Sequence, residues 1–377
     1  MDFTHTEDRR MLADMAGRFI RERYDIETRH KIAGMPLGFD REMWNQFAEL
    51  GLIGALFGDQ SGGFGGAGFD IAVLFEELGR GLVVEPFLAT LLAGRLIADL
   101  GNDTQQALLG DIIAGRALVA FAHGEADSHY DLGHVSTTAR RVGEGWIVNG
   151  HKAVVLNGDA ADRIVVSARI SGDTCDKRGI ALFLLDPSAK GIDRRGYGTV
   201  DGYHACDITF TKVALGDGDL LGAAGEAFDA IERVTGLAAL AVCAEALGAM
   251  QVATEMTLEY LKTRTQFGVP IGRFQVLQHR MAEMLIEIEQ VRSAVINAAG
   301  HMEAPRSVRE WHVSAAKNLV GRAGRLVAEE TIQMHGGIGM TWEYALPHFA
   351  KRIVMIDHLF GDEDHHLERI VQFGAGA

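Results

Sequence analysis

YLKTRTQFGVPIGRFQ, residues 260–275, ends one long helical pattern and opens another. Upstream, from about Gly225, small apolar residues recur at helical intervals, among them Leu237, Leu240, Ala244, Leu247 and Met250. Gly268 and Pro270 are expected to stop that helix, because glycine tolerates cap geometry and proline cannot continue it. Downstream, Phe274, Leu277, Met281, Met284 and Ile288 restart a helical stripe. The stretch is therefore a junction inside a helical bundle. It carries a fixed cation at Arg264, amides at Gln266 and Gln275, and an aromatic at Phe267. A guanidinium stays charged and pairs bidentately with phosphate oxygens, so Arg264 suits a pyrophosphate. A helix hairpin whose Arg and Gln side chains merely face water would read the same way.

A second stretch, QMHGGIGMT at residues 333–341, follows an apolar helix and holds three glycines. Glycines expose backbone N–H groups and let a ligand approach closely. Taken together, the two stretches resemble the acyl-CoA dehydrogenase family. The matching residues are Arg264, Gln266, Phe267, Gly268, Pro270, Ile271, Phe274 and Gln275, then Gln333, His335, Gly336, Gly337 and Gly339. The resemblance implies a flavoenzyme tetramer. In it, Arg264, Gln266, Phe267, Gln275 and the run Gln333, Met334, His335, Gly336 and Gly337 hold FAD bound mainly by a neighbouring subunit.

The 377 residues are enough for two or three domains with substantial cores. A hydrophobic content of 47% with only 6 prolines describes an ordinary globular chain. The net charge of −15 argues against nucleic acid and against anionic lipid, both of which call for a basic face. No uninterrupted run of about eighteen apolar residues occurs, and the first residues (MDFTHTEDRRM) are charged rather than signal-like. Cys175, Cys206 and Cys243 are odd in number and widely spaced, as free thiols in a reducing compartment would be. The expected location is cytoplasmic.

Along the chain the hydrophobic period changes twice. Residues 1–116 read as a helical domain, with helices over 7–21, 40–50, 69–79 and 85–100 and a Gly-rich surface loop over 51–68. Residues 117–220 read as a middle antiparallel β domain, with strands over 135–141, 146–156, 163–170 and 179–185 and a turn at Gly143-Glu144-Gly145. Residues 221–377 read as a C-terminal four-helix bundle, with helices over 226–264, 273–300, 306–334 and 344–357. The fold class is α+β, mostly α, and this order is the one the resemblance implies.

Departures from the family are as informative as matches. The resemblance places a catalytic glutamate, which removes the α-proton of an acyl-CoA, at one of two positions. Those positions hold Phe360 and Ala238, and neither side chain can accept a proton. Glu245, on the helix of Ala238, is an internal candidate, though a helix carboxylate more commonly pairs with a neighbour. The flavin-facing segment is altered as well. Gly124 to Asp131 stand where the family has Thr-Glu-Pro-x-Ala-Gly-Ser-Asp, and Val154 and Leu156 replace residues at the flavin edge. The lending segments are intact while the chain's own flavin bed and base are eroded.

That asymmetry resembles the small subunit of a two-subunit enzyme, closest in appearance to that of pimeloyl-CoA dehydrogenase. ERYDIE, MWNQFAELGLIG, GRGLVVEPFLAT and FGDEDHHLERI carry the closer likeness. The implied partners are an acyl-CoA substrate, an electron-transfer flavoprotein or similar acceptor, and a homo- or hetero-tetramer with a paralogue holding the base. A non-catalytic paralogue that binds a CoA ester, or a flavin monooxygenase on the same fold, are the alternatives. Asp362 to His366 (DEDHH) could be read as metal ligands, but consecutive residues diverge, so a solvated terminal cap is expected and no metal. His123, His129 and His134 read as loop residues, with a general base among them the lesser possibility. Lys351 and Arg352 read as helix C-terminal charges.

Overall fold

The computed structural model describes residues 6–374. They divide into two compact units. The first comprises the described residues up to Arg29, Ala67–Val83, and the chain from Ala239 onward; the second comprises His30–Gly66 and Val84–Ala238.

The first unit is helical: α1 (Glu7–Arg23), α4 (Gly68–Gly81), most of α8 (Phe228–Thr263), α9 (Gln275–Gly300), α10 (Arg306–His335), α11 (Leu346–Asp357) and α12 (Glu363–Gly374). Thr6 caps α1, its side chain accepting from the Arg9 amide, and Glu7 and Asp8 sit where the helix dipole favours negative charge. α10 is the axis of the unit, packing against α9, α11 and α12. Its buried stripe of Val313, Ala316, Val320, Ala323 and Val327 follows the helical period. α8 is apolar and long enough to cross a bilayer by composition, but 89% of its most apolar window is buried in the protein. α12 was absent from the helices expected above. It begins at the DEDHH run, where the Asp362 carboxylate accepts the His365 amide at 2.9 Å as an N-terminal cap.

The second unit is built on a sheet of eight strands. They are β1 (Val119–Ala122), β2 (Thr138–Val142), β3 (Gly145–Leu156), β4 (Arg163–Arg169), β5 (Ile180–Leu185), β6 (Ile192–Gly198), β7 (His204–Gly216) and β8 (Leu220–Leu221). The order is β6-β7-β3-β2-β4-β5-β8, with β1 pairing β4 off this path. The expected turn falls at Gly143 and Glu144, between Val142 and its partner Gly145. Most pairs are antiparallel, as expected, but β1 lies parallel to β4 and β2 meets β4 in parallel at Thr138 and Arg169. β6 and β7, unmarked in the sequence reading, form one edge of the sheet. One apolar face carries Trp146, Val148, Ile164, Val166, Phe183, Ile208 and Phe210. The helices α2 (Ile26–Ala33), α3 (Arg41–Glu49), α5 (Phe87–Leu100), α6 (Asp103–Gln106) and α7 (Leu109–Ile113) precede the sheet in sequence. Cys175 is exposed, Cys206 and Cys243 are buried, and all three are free thiols.

In the first unit α4 crosses α8 at backbone contact. A methyl group at Gly79 would lie 2.0 Å from the Glu245 carbonyl oxygen, and one at Gly248 would lie 2.0 Å from that of Glu76. Gln251 and Arg80 flank the crossing, the guanidinium bonding the amide oxygen at 2.6 Å. In an exposed helix, Gly→Ala stabilises by about 1 kcal/mol. Here the sign reverses: Gly79→Ala is expected to destabilise by about 1–3 kcal/mol through overpacking. A urea midpoint that falls with unchanged slope checks this, whereas a rise would mean that the crossing relaxes freely.

Candidate functional site

The Arg264 junction is a β-hairpin rather than a simple helix stop. α8 ends at Thr263, one last helical bond running from the Arg264 amide to the Tyr260 carbonyl at 2.8 Å. Two short strands, β9 (Thr265–Gln266) and β10 (Val269–Pro270), then pair antiparallel. Phe267 and Gly268 form the two-residue turn with φ of 55° and 80°. Two successive positive values are the mark of the tight turn that matches strand twist, and this is the reason for glycine at 268. The Ile271 amide bonds the Arg264 carbonyl at 2.8 Å and closes the base of the hairpin. Arg264, Gln266, Phe267 and Gln275 all face outward. Phe267 is 91% exposed, with Phe274 edge-on at 6.2 Å.

The glycine stretch ends α10. Gln333, Gly336 and Gly337 are exposed, and a methyl at either glycine would meet nothing within 4 Å, so their backbone is open to a ligand. Met334 and His335 turn inward. His335 Nδ1 lies 2.8 Å from the Thr331 carbonyl and must donate to it, which leaves Nε2 to accept from the Tyr344 hydroxyl at 3.3 Å. Burial pushes the imidazole pKa down, against the Thr331 bond, consistent with this neutral tautomer. Tyr260 stacks on the His335 ring at 4.5 Å. The residues expected around FAD thus fall into an outward set, chemically suited to a dinucleotide's phosphates and polar edges, and an inward pair, Met334 and His335.

The position expected to hold a catalytic base is held firmly. Phe360 sits at φ 60° in the turn after α11. Beneath that turn the fully buried Lys317 donates to the carbonyls of Ile356 and Asp357 at 2.9 Å each and of Gly361 at 2.7 Å. The first two carbonyls close the last turn of α11, where a cation also opposes the dipole, and the third lies in the turn beyond it. Burial lowers the Lys317 pKa. His366 Nε2 donates to the Phe360 carbonyl at 3.1 Å, and its Nδ1 accepts from Ser314 at 3.2 Å. Lys317 escaped the sequence reading, although an ammonium four residues after Val313 and three before Val320 lies on the inward stripe of α10.

Ala238 is fully buried on α8. Glu245 is buried too, its carboxylate meeting the Arg352 guanidinium in two parallel bonds of 2.6 and 2.7 Å. Arg352 accordingly lies inside the unit instead of serving as a helix-end charge. Lys351 rests over the Trp342 ring at 4.7 Å.

In the second unit the segment aligned with the flavin bed is a charged network. Lys152 Nζ donates to Glu125 at 2.8 Å, to the His123 carbonyl at 2.9 Å and to Ser167 Oγ at 3.0 Å. Glu125 also accepts the amides of Ser136 and Thr137 at 2.7 and 3.0 Å, and the Ser136 hydroxyl. Burial alone would raise the Glu125 pKa, but Lys152 and these donors hold it down at about 2. Burial and then the Lys152 charge push His123, which bonds Ser167 Oγ at 2.9 Å, well below the usual histidine range. Arg169 spans the neighbouring loops, bonding the carbonyls of Gly133, Val135, Thr174, Asp176 and Arg178 at 2.7–3.3 Å. His129 and Tyr130 lie at φ 43° and 71°, and Val154, 55% exposed at a register shift in β3, lies at φ 53°. A β-branched residue in that region is a genuine outlier.

The Glu125 carboxyl gives a pH signature. Its pKa falls from 4.5 to about 2 on folding, so its contribution to stability is complete above 4.5 and is lost as pH drops towards 2. Glu125→Gln should flatten this part of the acid limb and, by leaving the Lys152 ammonium buried without its partner, cost about 3–5 kcal/mol at neutral pH. Denaturant titrations of both proteins from pH 7 to 2.5 check both effects.

With this geometry in place, comparisons with known proteins agree across nearly the whole chain. Residues 6–116 match the acyl-CoA dehydrogenase N-terminal domain, 120–213 its middle domain and 226–374 its C-terminal domain. A 3-(aryl)acrylate reductase of Clostridium sporogenes is 27% identical over 328 residues, 84% of this chain and 86% of that protein. Butyryl-CoA dehydrogenase of Megasphaera elsdenii superposes with a TM-score of 0.89 at 25% identity over 99% of both chains. An acyl-CoA dehydrogenase from Geobacillus kaustophilus superposes with a TM-score of 0.89 at 27% identity, over 98% of both chains. The fold's cofactor is FAD, and its reaction the FAD-dependent dehydrogenation of acyl-CoA. The chain belongs to the acyl-CoA dehydrogenase family.

Proposed function

We propose that this chain is the FAD-lending subunit of a heteromeric acyl-CoA dehydrogenase, and that a paralogous partner supplies the base. The observation that carries this is the absence of a usable proton acceptor at the base positions. Phe360 is fixed by the Lys317 and His366 bonds, Ala238 is an alanine, and Glu245 is held bidentately by Arg352. A carboxylate in a two-point ion pair must break it before taking a proton, which costs far more than a poised base should. The likeness of the N-terminal stretches and of FGDEDHHLERI to the small subunit of pimeloyl-CoA dehydrogenase supports the same reading.

Arg264 would meet the pyrophosphate, Gln266 and Gln275 the polar edges, and the open backbone at Gly336 and Gly337 the close approach of the dinucleotide. The chemistry FAD supplies is acceptance of the Cβ hydride as the Cα proton leaves, giving a trans-enoyl-CoA. In this chain Lys317 and His366 hold the turn at 360 in place, and no side chain there takes the proton. An electron-transfer flavoprotein or a similar acceptor would be the electron partner of the assembly.

Purified alone, the chain should show negligible dehydrogenation of acyl-CoA, since a missing general base costs about two to four orders of magnitude. Co-expression with a glutamate-bearing paralogue should restore turnover. The double variant Glu245→Met with Arg352→Met removes the carboxylate without stranding a charge. Turnover of the complex should survive it and vanish when the partner's glutamate is replaced. Strong activity from this chain alone, abolished in the double variant, would make Glu245 the base and overturn the proposal. In the same complex Arg264→Ala should weaken FAD binding by about 2–5 kcal/mol, read from flavin fluorescence on dilution.

A further inference from the structure

The outward FAD-facing residues come from two segments far apart in sequence. The Arg264 hairpin follows α8, and the Gly336–Gly337 backbone follows α10. Each would need to be placed to a fraction of an ångström for one ligand to use both. An aromatic joint links their bases: Tyr260, one turn before Arg264, stacks on His335 at 4.5 Å with 24° between the planes. At its edge the His335 ring lies 5.4 Å from that of Tyr344 and accepts from its hydroxyl at 3.3 Å.

We infer that Tyr260, His335 and Tyr344 are positioning residues that set the Arg264 hairpin against the glycine loop, and that His335 supports FAD binding without touching the cofactor. The inference rests on the lending role proposed above. Three features carry it. His335 has both ring nitrogens engaged within its own chain, on Thr331 and Tyr344, so neither remains for a ligand. It is the last residue of α10, so the bonds that hold its ring anchor the backbone just where it enters Gly336, at φ 67° and ψ −142°. Tyr260 is tied to Arg264 by the last helical hydrogen bond of α8, so a tilt of the ring is passed to the root of the hairpin.

The test uses the assembly purified through a tag on this chain, with whatever copies or partners accompany it, and FAD itself as the probe. Tyr260→Leu should weaken FAD binding about three- to tenfold, the scale of one aromatic pair. Tyr260→Phe, which keeps the stack, should restore it. The deciding measurement is a double-mutant cycle with Arg264→Ala. If the joint works by aiming Arg264, then Tyr260→Leu should cost much less affinity once Arg264 is gone. Additive effects, or a Tyr260→Leu variant that lowers only the melting temperature, would overturn the inference while leaving the lending role intact. FAD affinity unchanged in Arg264→Ala itself would instead defeat the lending role. Should Tyr260→Leu fail to assemble, His335→Phe, which keeps a flat ring but loses both hydrogen bonds, takes its place in the cycle with the same two outcomes.

Discussion

One buried ion pair sets the register in which α8 and α11 meet in the helical unit. Glu245 and Arg352 lie 107 residues apart and meet in two short bonds away from water. Taking a carboxylate and a guanidinium out of water costs several kcal/mol for each ion, and only near-ideal geometry returns it. Both charges are therefore permitted only where α8 and α11 sit in one register. α11 in turn leads into the turn that Lys317 secures from α10, and α10 ends at the glycine loop. Stranding one partner alone would strain that route, whereas replacing both by apolar side chains of similar volume removes the charges and their demand on register together.

Buried cations recur as fasteners of irregular backbone. Lys317 gathers three carbonyls, and Arg169 gathers five from two loops. Lys152 adds a carboxylate partner to the same arrangement. A loop that lacks ladder partners leaves carbonyls needing donors. One ammonium or guanidinium can satisfy several of them at once, and it does so more strongly than neutral donors can. Irregular segments near a ligand site can thus be kept still without extending a helix or strand into it.

Much of this was legible in sequence, and the failures have physical reasons. The long helices announced themselves by period, as did β3 and β4 by their β-branched runs. β7 was missed although Ile208, Phe210, Val213 and Leu215 are inward, because a non-glycine residue at positive φ, Lys212, shifts the alternation by one residue. The end of α8 is legible in Gly268 and Pro270, but the hairpin that follows is not, because glycine serves caps and turns alike and only the positive φ of Phe267 tells them apart. α12 was hidden by a run of charges that suggested ligands or solvent. Arg264 and the glycines could be singled out because residue type alone carries the chemistry proposed for them. The partners of Glu245 and Lys317 were not, since proximity between residues so distant in sequence leaves no local mark.

The crossing of α4 and α8 has a consequence for how this chain can vary. Gly79 and Gly248 each face a carbonyl oxygen of the other helix, and neither faces the other glycine. Enlarging one therefore cannot be offset by any change of side chain opposite, because the obstacle is main chain. In the space of sequences near this one, the two positions are separate dead ends with no paired detour. A randomised library screened for folding should return glycine at both, while the flanking polar residues Arg80 and Gln251 drift.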